Sequence, residues 1–207
     1  MVIPSSPGLS LLVPVWAQTG SVLIAIAAMA VLVAAMLWTI YNRLVRSRQR
    51  MLEAWSGIDV QLKRRASLIP NLVESVKGYA AHEHGVFEDV ARARSMLNSA
   101  SGPQDSSAAN NLLTQALGRL FAVVERYPAL QAATNFLEMQ RDLSDTEEKI
   151  AFSRQFYNQN VLDYNTRIQT FPGALFAREM GFQPASFFAA EPEARADVKV
   201  EFGASKT

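Results

Sequence analysis

The chain has 207 residues, of which 20 are basic and 19 acidic, so its formal net charge at pH 7 is +1. This balance argues against broad nucleic-acid binding, which usually requires a strongly basic face. The sequence contains no cysteine, which excludes structural disulfides and thiolate metal sites. The length allows about one domain and an additional segment.

The first predicted element is an apolar N-terminal segment. No Asp, Glu, Lys or Arg precedes Arg43, and residues 20–41 form an uncharged, largely apolar run. About 20 such residues are needed to cross the hydrocarbon core of a bilayer as a helix. We therefore predict a transmembrane helix at 20–41, preceded by a short N-terminus at 1–19. A cleaved signal peptide fits less well, because it would have a basic start and a shorter apolar core.

The end of this segment carries the side chains that are expected at a membrane boundary. Trp and Tyr rings favour the headgroup region, and Lys and Arg accumulate on the cytoplasmic side. The predicted membrane collar consists of Trp38, Tyr41, Arg43, Arg46, Arg48 and Arg50. Its arginines predict that the N-terminus lies outside the cytoplasm and that the rest of the chain lies within it.

The first soluble helix is predicted from Asn42 to about Asn98. Between Trp55 and Leu97, positions spaced alternately by three and four residues are apolar or aromatic, apart from Arg65 and Glu83. This period of 3.5 residues is typical of coiled-coil packing against other helices. Pro70 falls inside the helix and removes one backbone donor, so we expect a kink just before it.

Three further helices are predicted after a turn-rich linker at Ser99–Asn110. The second carries an apolar stripe from Leu113 to Tyr127 and ends before Pro128. The third runs from about Ala129 to Thr170, with an apolar or aromatic residue at every seventh position from Phe136. The fourth is short, from Ala174 to about Met180.

These elements predict an all-α fold in which the transmembrane helix is followed by an antiparallel bundle of long amphipathic helices, similar to a four-helix bundle. The bundle is assigned to residues 42–188 and the C-terminal tail to 189–207. The segment from Phe182 to Thr207 contains aromatic residues that would be costly in water, so part of this segment is expected to lie along the bundle. Asp197–Phe202 alternates weakly and could form a short extended piece.

The charged residues of the first apolar stripe are candidates for a specific contact. The residues Arg65 and Glu83 either pair with charges on a neighbouring helix, for which Glu147, Glu148, Arg154 and Asp163 are candidates, or line a polar pocket. We favour the pairing. His82 and His84 flank Glu83 but would point about 200° apart on a helix, so they cannot close on one metal ion.

Asn158, Asn160 and Asn165 lie close together near the end of the third helix, which asparagine does not favour. Their presence indicates a specific role, either in helix pairing inside the bundle or in a hydrogen-bonding groove presented to a partner. The predicted structural or interaction residues are Arg65, Pro70, Asn71, Glu83, Asn158, Asn160 and Asn165. We predict no catalytic residue, cofactor site or metal site.

Several segments of the sequence resemble the LemA family. They are Arg65–Val73, Val76–Ala80 with His82–Glu83, Ala132–Phe136, Leu143–Ile150, Arg154–Asn158, Val161–Asn165, and Phe171–Gly173 leading to Phe182 and Phe187–Phe188. They follow the family order from about residue 40 to residue 202. The uncharged N-terminal extension departs from the family, in which the anchor often starts nearer the first methionine.

The resemblance implies a single-pass protein of the bacterial inner membrane with a helical-bundle domain and no established enzyme activity. One branch of the family is associated with magnetosome membrane biogenesis. Our leading hypothesis is a non-enzymatic scaffold or adaptor, with the lipid bilayer and either a second copy or another membrane protein as partners. A regulatory or signalling subunit of a membrane complex is the alternative, and an unrecognised hydrolase is a third.

Overall fold

The computed structural model describes residues 15–189, and within them every regular element is a helix. The helices are α1 (Val15–Lys77), α2 (His84–Ser99), α3 (Gly102–Val124), α4 (Pro128–Gln131), α5 (Thr134–Gln169) and α6 (Gly173–Phe176). After α6 and a series of turns, residues 182–189 have no regular secondary structure. The all-α fold predicted from the sequence is confirmed. Asp197–Phe202, predicted as a short extended piece, lies outside the described residues.

The chain divides into two compact units between Arg43 and Leu44. In the first unit, most of the described apolar side chains of α1 are exposed, including Leu23, Ile24 and Val31, whereas Ile40 is buried. This part of α1 is long and apolar enough to cross a membrane, by length and composition. A helix whose apolar residues face outward on all sides is suited to lipid as its solvent.

The second unit is built from four long helices that alternate in direction. Arg65 and Trp55 of α1 contact Glu147 and Tyr157 of α5, so the two helices are antiparallel. Arg94 of α2 donates a hydrogen bond to the Ala66 carbonyl on α1. The helices α2 and α3 are joined by a turn of two residues and pack along each other. This order is that of an up-and-down bundle with short connections.

The core of the second unit is formed by one apolar stripe from each helix. The stripe of α1 passes through Ile58 and Leu72, and that of α5 passes through Ile150 and Val161. Leu113 and Leu120 of α3 are completely buried. The amphipathic spacing of the sequence thus drives four helices to bury their apolar sides against one another.

The prediction of one continuous helix from Asn42 to Asn98 is wrong, because α1 ends at Lys77 and α2 begins at His84. Gly78 follows the helix end, and Tyr79 and Ala80 donate to the Val76 carbonyl in the turn. Glycine weakens a helix by about 1 kcal/mol relative to alanine. Turning back at this point buries the stripes of both helices against each other, which a single long helix could not do.

The predicted linker at Ser99–Asn110 is also wrong, since α3 begins at Gly102 with Pro103 in its first turn. Proline is favoured there because the first amides of a helix have no intrahelical partner. The small polar residues that suggested a linker, including Ser106, Ser107 and Asn110, are buried in the bundle. Distant residues hydrogen-bond two of them, because Ser107 donates to the Ala189 carbonyl and Asn110 accepts from Arg65.

The remaining boundaries differ in smaller ways. The third predicted helix is divided by a break at Ala132–Ala133 into α4 and α5, and α5 continues through Ser144 as predicted. The fourth predicted helix is reduced to α6, followed by turns up to Gly181, which has a φ angle of 79°. This left-handed conformation favours glycine. The α1 helix runs through Pro70 without an end there.

Candidate functional site

The first candidate site is the environment of Arg65, which is nearly completely buried. Its Nη1 atom donates a hydrogen bond of 2.6 Å to Asn110 Oδ1, and its Nη2 atom donates one of 3.0 Å to Thr114 Oγ1. Nη1 also lies 3.1 Å from Glu147 Oε2. The Arg65 guanidinium therefore joins α1, α3 and α5, and its charge is balanced by a carboxylate from another helix.

The contact between Arg65 and Glu147 is an ion pair by distance rather than a directed hydrogen bond. Glu147 Oε2 is buried and accepts no hydrogen bond from the described residues. The rest of this carboxylate is open, because the Glu147 side chain is 46% exposed whereas that of Arg65 is 6% exposed. Glu147 thus stands at the boundary between the buried guanidinium and the surface.

A cleft of about 540 Å³ opens beside this pair, and we refer to it as the Arg65 cleft. It is bounded by α1, α3 and α5 and has both apolar and polar walls. Its lining residues are Arg65, Thr114, Leu117, Gly118, Phe121, Gln140, Leu143, Ser144, Glu147 and Arg154. The ring of Phe121 is held edge-on by Phe136, with 6.3 Å between the ring centroids. The cleft has the size and mixed lining of a small-molecule pocket.

The second candidate site is a ladder of asparagine and tyrosine side chains on α5. Asn158 Nδ2 donates to the Phe188 carbonyl at 3.0 Å, and the Phe188 amide donates back to Asn158 Oδ1 at 2.9 Å. Asn165 makes the same two bonds with Ala185, at 2.9 and 2.8 Å. Each carboxamide therefore pairs with both backbone groups of one residue, as a neighbouring strand would.

Two tyrosine hydroxyls complete this ladder. Tyr157 donates to the Ser186 carbonyl and Tyr164 to the Gln183 carbonyl, both at 2.9 Å. Burial raises the pKa of Tyr157 to about 12. Burial also raises the pKa of Tyr164, against the lowering effect of the Arg48 charge. Both hydroxyls thus stay protonated donors over the physiological pH range.

The segment that the ladder holds, residues 182–189, is here called the C-terminal strap. Its two buried residues are Phe182 and Phe188. Phe188 lies against Trp55 of α1, with 6.2 Å between the ring centroids, and Ser107 Oγ on α3 donates to the Ala189 carbonyl at 3.0 Å. The expectation that part of the segment from Phe182 to Thr207 lies along the bundle is confirmed for residues 182–189. The strap connects α1, α3 and α5.

The other predicted residues are placed apart from these two sites. Glu83 precedes α2 and pairs with Arg126, with 2.7 Å between Oε1 and Nη2, instead of with the predicted candidates. Pro70 and Asn71 are exposed on α1. Asn160 is partly exposed and donates only to the Phe156 carbonyl of its own helix, at 2.8 Å. These placements leave the predicted interaction roles untested.

The turn between α1 and α2 means that His82 and His84 do not lie together on one helix. His82 lies in this turn and His84 is the first residue of α2, so the helical spacing used to separate them does not apply. In residues 15–189, no group of three His, Cys, Asp or Glu side chains is placed to hold a metal ion. All collar residues, namely Trp38, Tyr41, Arg43, Arg46, Arg48 and Arg50, are exposed.

Comparison with known proteins adds to this geometry. The model of the LemA family matches residues 54–202, which include α2 to α6, the strap and both candidate sites. This chain belongs to the LemA family. The match covers most of the second unit and continues beyond the described residues. The family resemblance noted in the sequence is therefore confirmed.

Individual LemA-family relatives are similar over most of this chain. Magnetosome protein MamQ of Magnetospirillum gryphiswaldense is 28% identical, and the alignment covers 73% of this chain and 65% of that protein. Magnetosome protein MamQ 1 of Paramagnetospirillum magneticum is 29% identical, with the same coverage. Protein LemA of Metamycoplasma hominis is 25% identical over 76% of this chain and 72% of its own length. The chain thus spans slightly less than two thirds of the magnetosome relatives.

Sequence reasoning missed part of the Arg65 site. The sequence pattern predicts a linker at Asn110 and indicates no role for Thr114, although both bind Arg65. Extending the apolar stripe back by three residues from Leu113 leads to Asn110, so the signal for a buried polar residue was present. No local pattern in the sequence indicates the cleft, because its walls come from three helices.

Proposed function

We propose that this LemA-family protein is a non-enzymatic, membrane-anchored scaffold or adaptor that acts through helix–helix contacts with other proteins. The anchor is the apolar part of α1, and the contacts are made by the bundle. The observation that carries the proposal is a pair of exposed phenylalanines on α5. Phe152 is 73% exposed and Phe156 is 56% exposed, one helical turn apart.

Exposed phenylalanines that adjoin each other are characteristic of interaction surfaces, whereas single exposed apolar residues are common. Phe152 also borders a surface depression with Gln61 of α1 and Lys149 of α5. Gln61 Oε1 is buried and accepts no hydrogen bond from the described residues. A partner helix that covers Phe152 and donates a hydrogen bond to Gln61 would remove both energetic costs.

The test is site-specific photo-cross-linking in native membranes. The photoreactive residue p-benzoylphenylalanine replaces Phe152, and in the control it replaces Tyr79, an exposed aromatic residue in the turn after α1. Capture of a second copy at position 152 supports a self-assembling scaffold, and capture of one other protein supports an adaptor. Equal capture at both positions, or none at position 152, contradicts the proposal.

We further propose that the chain spans the inner membrane of a bacterium once, with its N-terminus outside and the bundle in the cytoplasm. Supporting observations are the apolar part of α1 and the arginines that follow it. Because the chain has no cysteine, one cysteine at Ser5 or at Ser205 reports its side of the membrane. With the outer membrane permeabilised, an impermeant thiol reagent should label only position 5 in intact cells. Labelling only at position 205 would reverse the orientation.

A regulatory subunit of a membrane complex is the second candidate function, and the Arg65 cleft favours it. A ligand in this cleft would contact α1, α3 and α5 together, so it could change how these helices pack. Ligand-dependent capture at Phe152 would favour this function over a passive scaffold.

A further inference from the structure

The Arg65 cleft has an unusual charge arrangement. Its walls carry two guanidinium groups, from Arg65 and Arg154, and one carboxylate, from Glu147. The carboxylate lies within ion-pair distance of Arg65. The charge of Arg154 is therefore left uncompensated among the lining residues, and the cleft carries a net positive charge.

Arg154 is half-buried on α5 and faces this cleft. Within residues 15–189, it forms no hydrogen bond or ion pair, whereas arginines such as Arg119 and Arg126 bind a carboxylate. Withdrawing a guanidinium from water without a partner is unfavourable, and a bound anion would restore its hydrogen bonds. The planar guanidinium can pair with both oxygens of a carboxylate.

Part of the cleft wall is apolar and leaves space for a ligand. It is formed by Leu117, Phe121 and Leu143, and Gly118 lies between two of them in the sequence. A Cβ atom built at Gly118 meets no heavy atom within 4 Å. The cleft volume of about 540 Å³ falls within the range of about 300 to 1,000 Å³ that small-molecule sites occupy.

We propose that the Arg65 cleft binds a small organic anion, with a carboxylate on Arg154 and an apolar body against Leu117 and Phe121. Arg65 does not serve as the primary anion ligand, because Asn110, Thr114 and Glu147 already engage it. It instead holds the three helices that form the walls. This binding site goes beyond the proposed scaffold, whose contact surface is at Phe152 and Phe156.

The test uses the full chain in phosphatidylcholine nanodiscs, with empty nanodiscs as the blank. The probe is 4-(trifluoromethyl)benzoate, observed by fluorine NMR, and the control ligand is its uncharged analogue, 4-(trifluoromethyl)benzamide. We expect the benzoate to bind and the benzamide to bind about tenfold more weakly, because it lacks the charge that pairs with Arg154. The substitution Arg154→Met should weaken benzoate binding to the level of the benzamide, and Arg154→Lys should restore part of it.

Matched variants separate binding from folding. Arg167→Met removes the same charge from an exposed position of α5 outside the cleft, so benzoate binding should not change. Gly118→Leu fills the cleft and should abolish binding of both probes, whereas Gly57→Leu, at an exposed position of α1 with equal space, should not. Helical circular dichroism establishes that each variant is folded.

Three results would overturn the proposal. They are the absence of benzoate binding to the folded wild-type chain, equal affinity of benzoate and benzamide, and unchanged benzoate binding in folded Arg154→Met. None of these results depends on the capture of a protein at Phe152, so failure of the anion site and failure of the scaffold are distinguishable.

Discussion

The Asn158→Ala substitution tests the C-terminal strap most directly. Asn158 gives and receives one hydrogen bond with the backbone of Phe188, at 3.0 and 2.9 Å. An intramolecular hydrogen bond contributes a net of about 0.5–1.5 kcal/mol to stability, so the two bonds are worth about 1–3 kcal/mol. Alanine favours the helix over asparagine by about 0.5 kcal/mol, which offsets part of this loss. We expect a net loss of about 0.5–2.5 kcal/mol.

The matched control is Asn160→Ala, two residues away on the same helix. Among residues 15–189, the Asn160 side chain hydrogen-bonds only to the Phe156 carbonyl, which is already part of the helix, and it forms no hydrogen bond with the strap. The same gain in helix propensity therefore applies without the same loss. We expect the stability to be unchanged or to rise by a few tenths of a kcal/mol.

Two measurements follow both variants in detergent micelles. Urea unfolding monitored by circular dichroism gives the free energy of unfolding of the bundle. Hydrogen exchange of a peptide that contains residues 183–189 reports local release of the strap, because the Phe188 amide loses its acceptor in Asn158→Ala. If both variants give the same stability and the same exchange rate in this peptide, the strap is not held by Asn158.

Three further predictions concern other parts of the bundle. Arg65→Ala should lower the free energy of unfolding by about 3 kcal/mol, because Asn110 and Glu147 lose their buried partner. Arg64 is exposed, so Arg64→Ala should leave the free energy of unfolding unchanged, and urea unfolding measures both variants. Because the pKa of Tyr157 is raised from 10 to about 12 in the folded state, the contribution of Tyr157 to stability should be constant below pH 9 and fall between pH 10 and 12, by at most about 1.4 kcal/mol per pH unit. Tyr157→Phe should flatten this alkaline decline in pH-dependent unfolding. Glu83→Gln should cost no more than about 0.5 kcal/mol in thermal unfolding, because its pair with Arg126 is largely exposed.

The helix type and the apolar stripes could be predicted from the sequence, but the end of the first helix could not. The stripe from Trp55 to Leu97 continues across the turn at residues 78–83 because both flanking helices bury their apolar sides in one core. Periodicity reports burial, and it does not distinguish one long helix from two helices that fold back on each other. Gly78 was the local signal, and its effect on a helix is too small to decide alone.

The polar residues were recognised, but most of their partners were not. Glu147 was one of four candidates for pairing with Arg65, and it is the one that the structure brings to it. Asn110, in contrast, was assigned to a linker because its neighbours are small and polar. A run of small polar residues predicts a turn only when these residues have no hydrogen-bond partner elsewhere in the chain. Asn110 does have such a partner, because Arg65 binds it from 45 residues away.

Asn158 and Asn165 were marked by their unfavourable position in a helix, yet the sequence could not show that they bind backbone. Their partners, Phe188 and Ala185, are recognised through amide and carbonyl groups that every such residue carries. No pattern of side chains in the strap could therefore reveal the pairing. What the sequence did show was the cost in water of Phe182 and Phe188, both of which the bundle buries.

The members of the ladder recur at an interval of seven residues on α5, and this interval matches the spacing of their partners on the strap. Asn158 and Asn165 are seven residues apart on α5, as are Tyr157 and Tyr164, and seven helical residues rise about 10.5 Å. Their partners are three residues apart on the strap, Phe188 with Ala185 and Ser186 with Gln183, and three extended residues cover about 10 Å. The two periods therefore match over the length of the strap, which runs antiparallel to α5. This match requires that the strap be extended and in a fixed register. Because the ladder binds only the backbone carbonyls of Gln183 and Ser186, it places no requirement on the side chains at these two positions.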